Sequence, residues 1–182
     1  MIISFLEINY LSMKIDKNTV VSVEYHLSSS MNGGSENLVE QTSPEHPFVF
    51  LYGSGNLLPD FENFLKGKSS GDAFDFQIEA VNGYGLPQED YFVNIDKQAF
   101  FVDGKFDEGR VKVGNELQMN DHEGNVLVGI VTKIESEKVT MDFNHPLAGH
   151  DLHFIGKVLE VRAATKEELD HGHVHGPGGH HH

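Results

Sequence analysis

Apolar and polar side chains alternate along most of this chain, and this period restricts its fold more than any other feature. Every second residue from 21 to 27 is apolar, which is typical of a strand with one buried face. The same period returns in residues 48–52, 72–80, 126–134, 139–143 and 152–161. One convincing stretch, 57–66, has helical spacing instead. The sequence therefore predicts an α+β, mostly β fold with one short helix.

Local signals support that helix and a second one near the end of the chain. Pro59 suits a first helical turn because it has no N–H to leave unpaired, and Gly67 can end the helix. Thr165 and Glu168 have the spacing of a capping box, which predicts a short terminal helix.

Residues 1–12 are apolar, but Glu7 and Asn9 interrupt them and no basic segment precedes them. We therefore expect an extension outside the fold, no export signal, and a cytoplasmic location. The pattern changes again after Gly85, so that residues 86–143 are expected to form a separate small β unit. Beyond residue 170 the chain is a low-complexity, histidine-rich tail.

Composition removes several classes of function. The formal net charge of -15 repels phosphate backbones, which argues against nucleic-acid binding. No apolar run approaches the roughly 20 residues that a membrane-spanning helix needs. The chain has no cysteine, so disulfides, thiolate nucleophiles and cysteine-based zinc sites are excluded. Phosphate-binding loops, nucleophile elbows and metalloprotease motifs are also absent.

Aromatic residues in the first half of the chain are the more informative feature. Plain core packing is the expectation for Phe64, Phe74 and Phe76. The order of segments VEYHL, LVEQTSP, PFVFLYGSGNLLPDFENFLKGKSSGD, VNGYG and HDLHFIGKVLEV resembles FKBP-type peptidyl-prolyl isomerases. The segments NHPLAGHDLHF and ATKEELDHGHVHG resemble the SlyD subfamily specifically. The resemblance extends over residues 13–176.

The resemblance implies an FKBP-like antiparallel sheet wrapped on one short helix, and an isomerase that needs no cofactor. It implies that the proline-binding pocket is lined by Tyr25, Val39, Phe48, Leu57, Leu58, Phe61, Tyr84 and Phe154. Leu58 would hold the substrate carbonyl through its backbone N–H, and Tyr84 through its hydroxyl. Glu40 in the pocket wall stands where the family usually has Asp, and Asp60 where Gly is usual. These departures leave open an alternative, a non-catalytic chaperone or nickel-binding protein with a decayed pocket.

The resemblance also implies two domains with different functions. Residues 13–85 and 144–164 would form the isomerase domain, and 86–143 an insert-in-flap chaperone domain. Partners would be unfolded or partly folded polypeptides with X-Pro bonds. The candidate client-binding residues are Tyr91, Phe92, Val93, Phe100, Phe101 and Val102. About half of these are expected to fill the core of the insert.

Histidines are the candidate metal ligands. In the segment 165–182, a short helix leads into a tail whose imidazoles suit Ni(II) or another divalent transition metal. The candidate ligands are His171, His173, His175, His180, His181 and His182. Three further histidines, His145, His150 and His153, cluster around one loop in the sequence, and we expect His145 and His150 to cap it. The sequence gives no sign of an obligate oligomer, so a monomer is expected.

Overall fold

The computed structural model describes residues 12–121 and 123–174. They divide into two units. Unit 1 consists of two segments, one that extends to Gly83 and one that begins at His150. Unit 2 is the segment between them, Tyr84–Gly149. The predicted extension lies outside the described residues except for Ser12, and so does the tail from His175 onward. No helix in the described ranges is long and apolar enough to cross a membrane.

The prediction of a mostly β fold is confirmed. The strands are β1 (Thr19–Met31), β2 (Asn37–Gln41), β3 (Phe48–Leu51), β4 (Ala73–Ile78), β5 (Phe92–Asp96), β6 (Phe101–Val102), β7 (Lys105–Phe106), β8 (Glu116–Asn120), β9 (Val126–Ile134), β10 (Lys138–Asp142) and β11 (His150–Ala163). The α-helices are α1 (Pro59–Leu65) and α2 (Lys166–His171), and short 3₁₀ turns occur at Glu89–Tyr91 and Lys97–Phe100.

Unit 1 is an antiparallel sheet in the order β2-β1-β11-β4, with β3 also paired to β1. The first half of β1 pairs with β3 and its second half with β2, so both lie along one edge of β1. The apolar face of β1 is buried as its alternation predicts. Gly156 of β11 lies opposite Tyr25, and a Cβ there would collide with the Glu24 carbonyl oxygen and approach Phe74 Cζ to 2.6 Å. A larger residue at this position would therefore disturb the pairing of β1 with β11 as well as the Phe74 ring.

Helix α1 begins later than predicted. The spacing of apolar residues predicts a helix over 57–66, but the structure has it at Pro59–Leu65. Proline disfavours helical geometry in the residue before it, and Leu58 is accordingly extended, with φ -56 and ψ 127. The expectation of a core position is wrong for Phe64, which is 45% exposed. One face of its ring stacks on Phe76, with centroids 4.5 Å apart, so only that face is covered.

Unit 2 contains a four-stranded antiparallel sheet, β5-β10-β9-β8, and the hairpin β6–β7. Its buried core consists of Phe100, Val111, Leu117, Val131, Val139 and Met141. The register between β9 and β10 shifts so that Thr132 has no partner. Such a bulge reverses which face receives the following side chains. Val131 and Ile134, on either side of the bulge, therefore both pack on this core, whereas Val126 and Val128 alternate onto the opposite face and remain exposed.

Helix α2 is held by a capping box and one partly buried ion pair. Thr165 Oγ1 accepts from the Glu168 N–H, and Glu168 Oε2 accepts from the Thr165 N–H, which confirms the predicted box. Arg162 donates to both Glu168 carboxylate oxygens at 2.6 and 2.9 Å. Glu168 is only 3% exposed, and these donors, Arg162 first, lower its pKa from 4.5 to about 2.

We predict that Glu168→Gln destabilises the protein in a pH-dependent way. A folded-state pKa below the unfolded one stabilises the fold above pH 4.5, and this stabilisation disappears as pH falls toward about 2. The variant should lose about 3 kcal/mol of the free energy of unfolding at pH 7, and much less at pH 3. Urea unfolding at both pH values measures this. The exposed neighbour supplies the control, Glu167→Gln, and equal stability of both variants at pH 7 would contradict the prediction.

Candidate functional site

A cluster of aromatic rings centred on Phe61 forms the candidate site of unit 1. Phe61 is buried, and its ring centroid lies 5.0 to 6.4 Å from those of five other rings. These rings belong to Tyr25 on β1, Phe48 and Phe50 on β3, Phe76 on β4 and Phe154 on β11. All five pairs meet edge to face, an arrangement that aromatic quadrupoles favour. Five elements therefore converge on one apolar, aromatic cluster, in which Phe48 is the least buried ring.

Tyr25 links this cluster to strand β2. Its hydroxyl donates to Glu40 Oε2 at 3.0 Å, and its backbone N–H donates to Thr42 Oγ1 at 2.8 Å. The bond to Glu40 fixes the orientation of the phenol ring at the polar end of the aromatic cluster. Val39 lies beside Glu40 on this exposed strand. The longer carboxylic side chain at position 40 therefore still reaches the phenol.

The segment before α1 supplies a backbone donor. Leu57 and Leu58 are half-buried, and the Leu58 carbonyl accepts the Glu62 N–H that starts the helix. Within the described residues, no acceptor is bonded to the Leu58 N–H. Glu62 also accepts the Gly53 N–H at 2.8 Å, which ties the preceding loop to the helix. The Leu58 N–H is therefore available to an acceptor from outside the chain.

Tyr84 is the one predicted site residue that belongs to unit 2. Its ring is 41% exposed and stacks on the His145 imidazole, with centroids 3.8 Å apart and planes 5° from parallel. His145 Nδ1 accepts the Leu147 N–H at 3.1 Å, as a loop cap would. Sequence reasoning identified both residues but missed their contact, because 60 intervening positions separate them.

His153, next to Phe154 on β11, bridges two carboxylates. Its Nε2 lies 2.8 Å from Asp75 Oδ1, and its Nδ1 lies 3.0 and 3.1 Å from the Glu36 oxygens. The hydrogen bond to Asp75, and then that to Glu36, raise the pKa of His153 above its usual 6.5. The sequence grouped His153 with His145 and His150 in one loop, whereas here it fastens the β1–β2 connection to β11 and β4.

The predicted metal ligands fall mostly outside the described residues. Of the six, only His171 and His173 are described, with ring centroids 5.7 Å apart. His175, His180, His181 and His182 lie beyond residue 174. Within residues 12–121 and 123–174, no group of three or more histidine or acidic side chains could hold a metal ion.

Unit 2 exposes a large apolar surface. Of its six predicted client-binding residues, five are exposed and only Phe100 is buried, so the expectation that half would fill the core is wrong. The core is filled instead by later strands, mainly by Val131, Val139 and Met141. The hairpin β6–β7 and strand β8, neither of which was predicted, flank a groove of about 140 Å³. Phe101, Val102 and Met119 line this groove.

Comparisons with known proteins identify relatives that align with most of this chain. No family model matches the chain. The FKBP-type peptidyl-prolyl cis-trans isomerase SlyD of Yersinia pestis is 39% identical over 165 residues, which cover 90% of this chain and 79% of that protein. The SlyD proteins of Haemophilus influenzae and Escherichia coli K12 are each 36% identical over 165 residues, again 90% of this chain, and 81% and 79% of their own lengths.

Proposed function

Because the chain belongs to the SlyD family of FKBP-type peptidyl-prolyl cis-trans isomerases, we propose that its aromatic cluster binds prolyl residues and accelerates rotation about X-Pro bonds. The observation that carries the proposal is the convergence of five rings on Phe61, beside a tyrosine held by a carboxylate. Proteins and peptides with X-Pro bonds are the substrates.

The chemistry needs no acid, base or cofactor. Rotation is slow because amide resonance must be broken, at a barrier of about 18–20 kcal/mol. The twisted amide is less polar than the planar one, so a dry aromatic surface favours it over the ground state. Two donors would orient the substrate carbonyl, the Leu58 N–H and the Tyr84 hydroxyl. The absence of an internal acceptor for the Leu58 N–H among the described residues supports its part.

The two departures from the family pattern are compatible with an active pocket. Glu40 makes the hydrogen bond to the Tyr25 hydroxyl, so its extra methylene leaves this phenol held. Asp60 lies in the first turn of α1, where a carboxylate is favourable. The non-catalytic alternative therefore loses the sequence features that favoured it. An isomerisation assay on a proline peptide decides between the two.

We further propose that unit 2 captures unfolded or partly folded polypeptides. Exposed apolar patches mark interaction sites, and unit 2 has them on two elements. The first is the hairpin, with Phe101 and Val102 beside the groove. The second is β9, where Val126, Leu127 and Val128 are exposed in succession. A bound client would raise the local concentration of its prolyl bonds near the catalytic unit.

Metal binding by the tail is a third proposal. Neutral imidazoles bind Ni(II), Cu(II) and Zn(II), and the alternating histidines of HGHVHG allow several of them to reach one ion. The proposed ligands are the six tail histidines named from the sequence. Isomerisation itself needs no metal. We also propose that the protein is a monomer and that it is cytoplasmic, as expected from the sequence.

We predict that Phe48→Ala lowers kcat/KM for a short proline peptide about tenfold. The half-buried Phe48 ring contacts both Tyr25 and Phe61, so its removal leaves a gap in the aromatic cluster. A tenfold lower rate corresponds to a loss of about 1.4 kcal/mol of transition-state stabilisation. Phe61→Ala is less informative, because removing so buried a ring costs about 3–5 kcal/mol of stability. Phe64→Ala removes a more exposed ring that is not among the six rings of the cluster, and should leave kcat/KM unchanged. Equal rates in the two variants would contradict the site.

We predict that the triple variant Phe101→Ser, Val102→Ser, Val128→Thr slows proline-limited refolding of a protein about tenfold or more, because it weakens capture. Turnover of a short peptide should not change, since a peptide reaches the aromatic cluster directly. Val113→Ser removes another exposed apolar side chain of unit 2 and serves as the control. Refolding catalysis at the rate of the unaltered chain would refute the capture proposal.

We predict that the full chain binds Ni(II) and that a chain ending at Val174 binds it more weakly. Affinity should fall as pH drops from about 7.5 to 6, because protonated imidazoles cannot bind metal. Titration calorimetry of both chains, and of the full chain with His171→Ala and His173→Ala, measures the contributions. Ending the chain at Val174 keeps α2 and its cap at Gly172 intact. Equal affinity of all three would place the site outside the tail.

A further inference from the structure

Strand β2 carries two residues of the proposed pocket, Val39 and Glu40, at the edge of the sheet of unit 1. All five of its residues are exposed, and its register on β1 shifts part of the way along. Leu27 lies opposite Glu40 and Ser28 opposite Leu38, so that no residue of β1 lies opposite Val39. A short strand with neither face buried has a weakly specified register. The contacts at its ends therefore decide how firmly β2 is placed.

The bulge at Val39 determines which way Glu40 points. Residues directly opposite each other share a face of the sheet, so Glu40 lies on the buried face with Leu27. On that face its carboxylate accepts the Tyr25 hydroxyl. A slip of β2 by one residue would turn Glu40 to the solvent face. The wall of the proposed pocket therefore requires the bulged register.

The residue before β2 is anchored on the solvent face of the sheet. Glu36 Oε2 accepts the Ser28 hydroxyl at 2.6 Å, and the two Glu36 oxygens lie 3.0 and 3.1 Å from His153 Nδ1. His153 lies opposite Ser28, and only 19% of its side chain is exposed. Its Nε2 lies 2.8 Å from Asp75 Oδ1 on β4. The imidazole therefore ties the start of β2 to the two strands beyond β1.

This arrangement needs a proton on each nitrogen of the His153 ring. An ionised carboxylate can only accept, and an imidazole donates from both nitrogens only when it is protonated. A neutral ring would turn a lone pair toward one of the two carboxylates. The Nε2 contact with Asp75 is the shorter one, so that proton stays. Deprotonation therefore removes the bond to Glu36, which is the bond that holds β2.

The surroundings of His153 determine when the ring loses its proton. The side chains that share the solvent face around it are Ser28 and His26 on β1, Leu38 on β2, Asp75 and Gln77 on β4, Asp151 and Ile155 on β11, and Glu36 before β2. Asp151 accepts the Ala80 N–H. The hydrogen bond to Asp75, and then that to Glu36, raise the pKa of His153 above 6.5. The bridge is therefore complete below pH 6.5 and is lost as pH rises through the folded-state pKa.

We propose that protonated His153 is a positioning residue, which locks the bulged register of β2 and so keeps Val39 and Glu40 in the wall of the isomerase pocket. The pocket's role rests on the proposed function, whereas the lock does not. Side chains alternate along β11, so His153 points away from the buried Phe154. It touches no substrate and transfers no proton to it. Without the bond to Glu36, β2 samples other registers and the wall is complete less often.

Amide hydrogen exchange of residues 37–41 tests the lock without any substrate. Exposed ion pairs contribute little, so we expect the protection factors to fall only about two- to fivefold from about pH 6 to about pH 8.5. His153→Gln should have the low protection at both pH values. His153→Arg keeps a permanent cation with several donors, and should keep the high protection at both. Equal protection of His153→Gln and the unaltered chain at pH 6 would overturn the inference.

The pH profile of kcat/KM tests the positioning role. A proline peptide with blocked ends and no ionisable side chain confines titration to the protein. We expect kcat/KM of the unaltered chain to fall by the same two- to fivefold over this pH range. His153→Gln should begin at the lower value and stay there, and His153→Arg should keep the higher value. A merely stabilising residue would change the thermal unfolding temperature and leave the pH profile of the folded protein unchanged.

The control is His26→Gln, which removes an exposed histidine from the same face of the sheet. It should retain both pH dependences, and thermal unfolding identifies any variant that fails to fold. An unaltered chain without isomerase activity would overturn the proposed function, while amide exchange would still decide on the lock. An active chain in which His153→Gln alters amide exchange but not the pH profile of kcat/KM would overturn the positioning role alone.

Discussion

The antiparallel pairing of β1 with β11 is the interaction on which unit 1 depends. It runs along both strands, from Thr19 opposite Ala163 to Met31 opposite His150. β1 then offers its other edge to β2 and β3, and β11 offers its other edge to β4. Tyr25 lies on β1 and Phe154 on β11. The other strand residues of the aromatic cluster lie on β3, which pairs with β1, or on β4, which pairs with β11. Only the ring of Phe61 comes from a helix. The site is therefore a consequence of this single pairing.

The alternation of apolar residues was sufficient to predict most strands, because each has one buried face. It could not predict β8, in which Leu117 and Met119 are the only apolar residues, or the two-residue strands of the hairpin. The bulge at Thr132 was also invisible, since a register shift depends on the neighbouring strand. For α1 the helical spacing was correct, but Pro59 imposed a later start.

The candidate site, too, could be predicted from the sequence only in part. The resemblance predicted the four cluster rings of Tyr25, Phe48, Phe61 and Phe154, but Phe50 and Phe76 were not among the predicted site residues. The partners of these residues could not, since each bond joins distant segments. Glu40 was marked as a departure from the family, yet it holds the Tyr25 hydroxyl. Phe64, expected in the core, is half covered by a neighbouring ring. His153 had been grouped by proximity in sequence, and its carboxylate partners come from two other elements.

The bond from Gly149 N to the Gly85 carbonyl has a consequence for how the chain folds. β1 and β11 are separated in sequence by more than a hundred positions, and joining such distant segments is entropically costly and slow. The strands of unit 2 pair within one contiguous segment, so they can form without waiting for β1. Once they have, that bond brings the two ends of the segment together and shortens the effective loop between β4 and β11. The insert thus offsets part of the loop-closure cost that its own length adds to the domain that it interrupts.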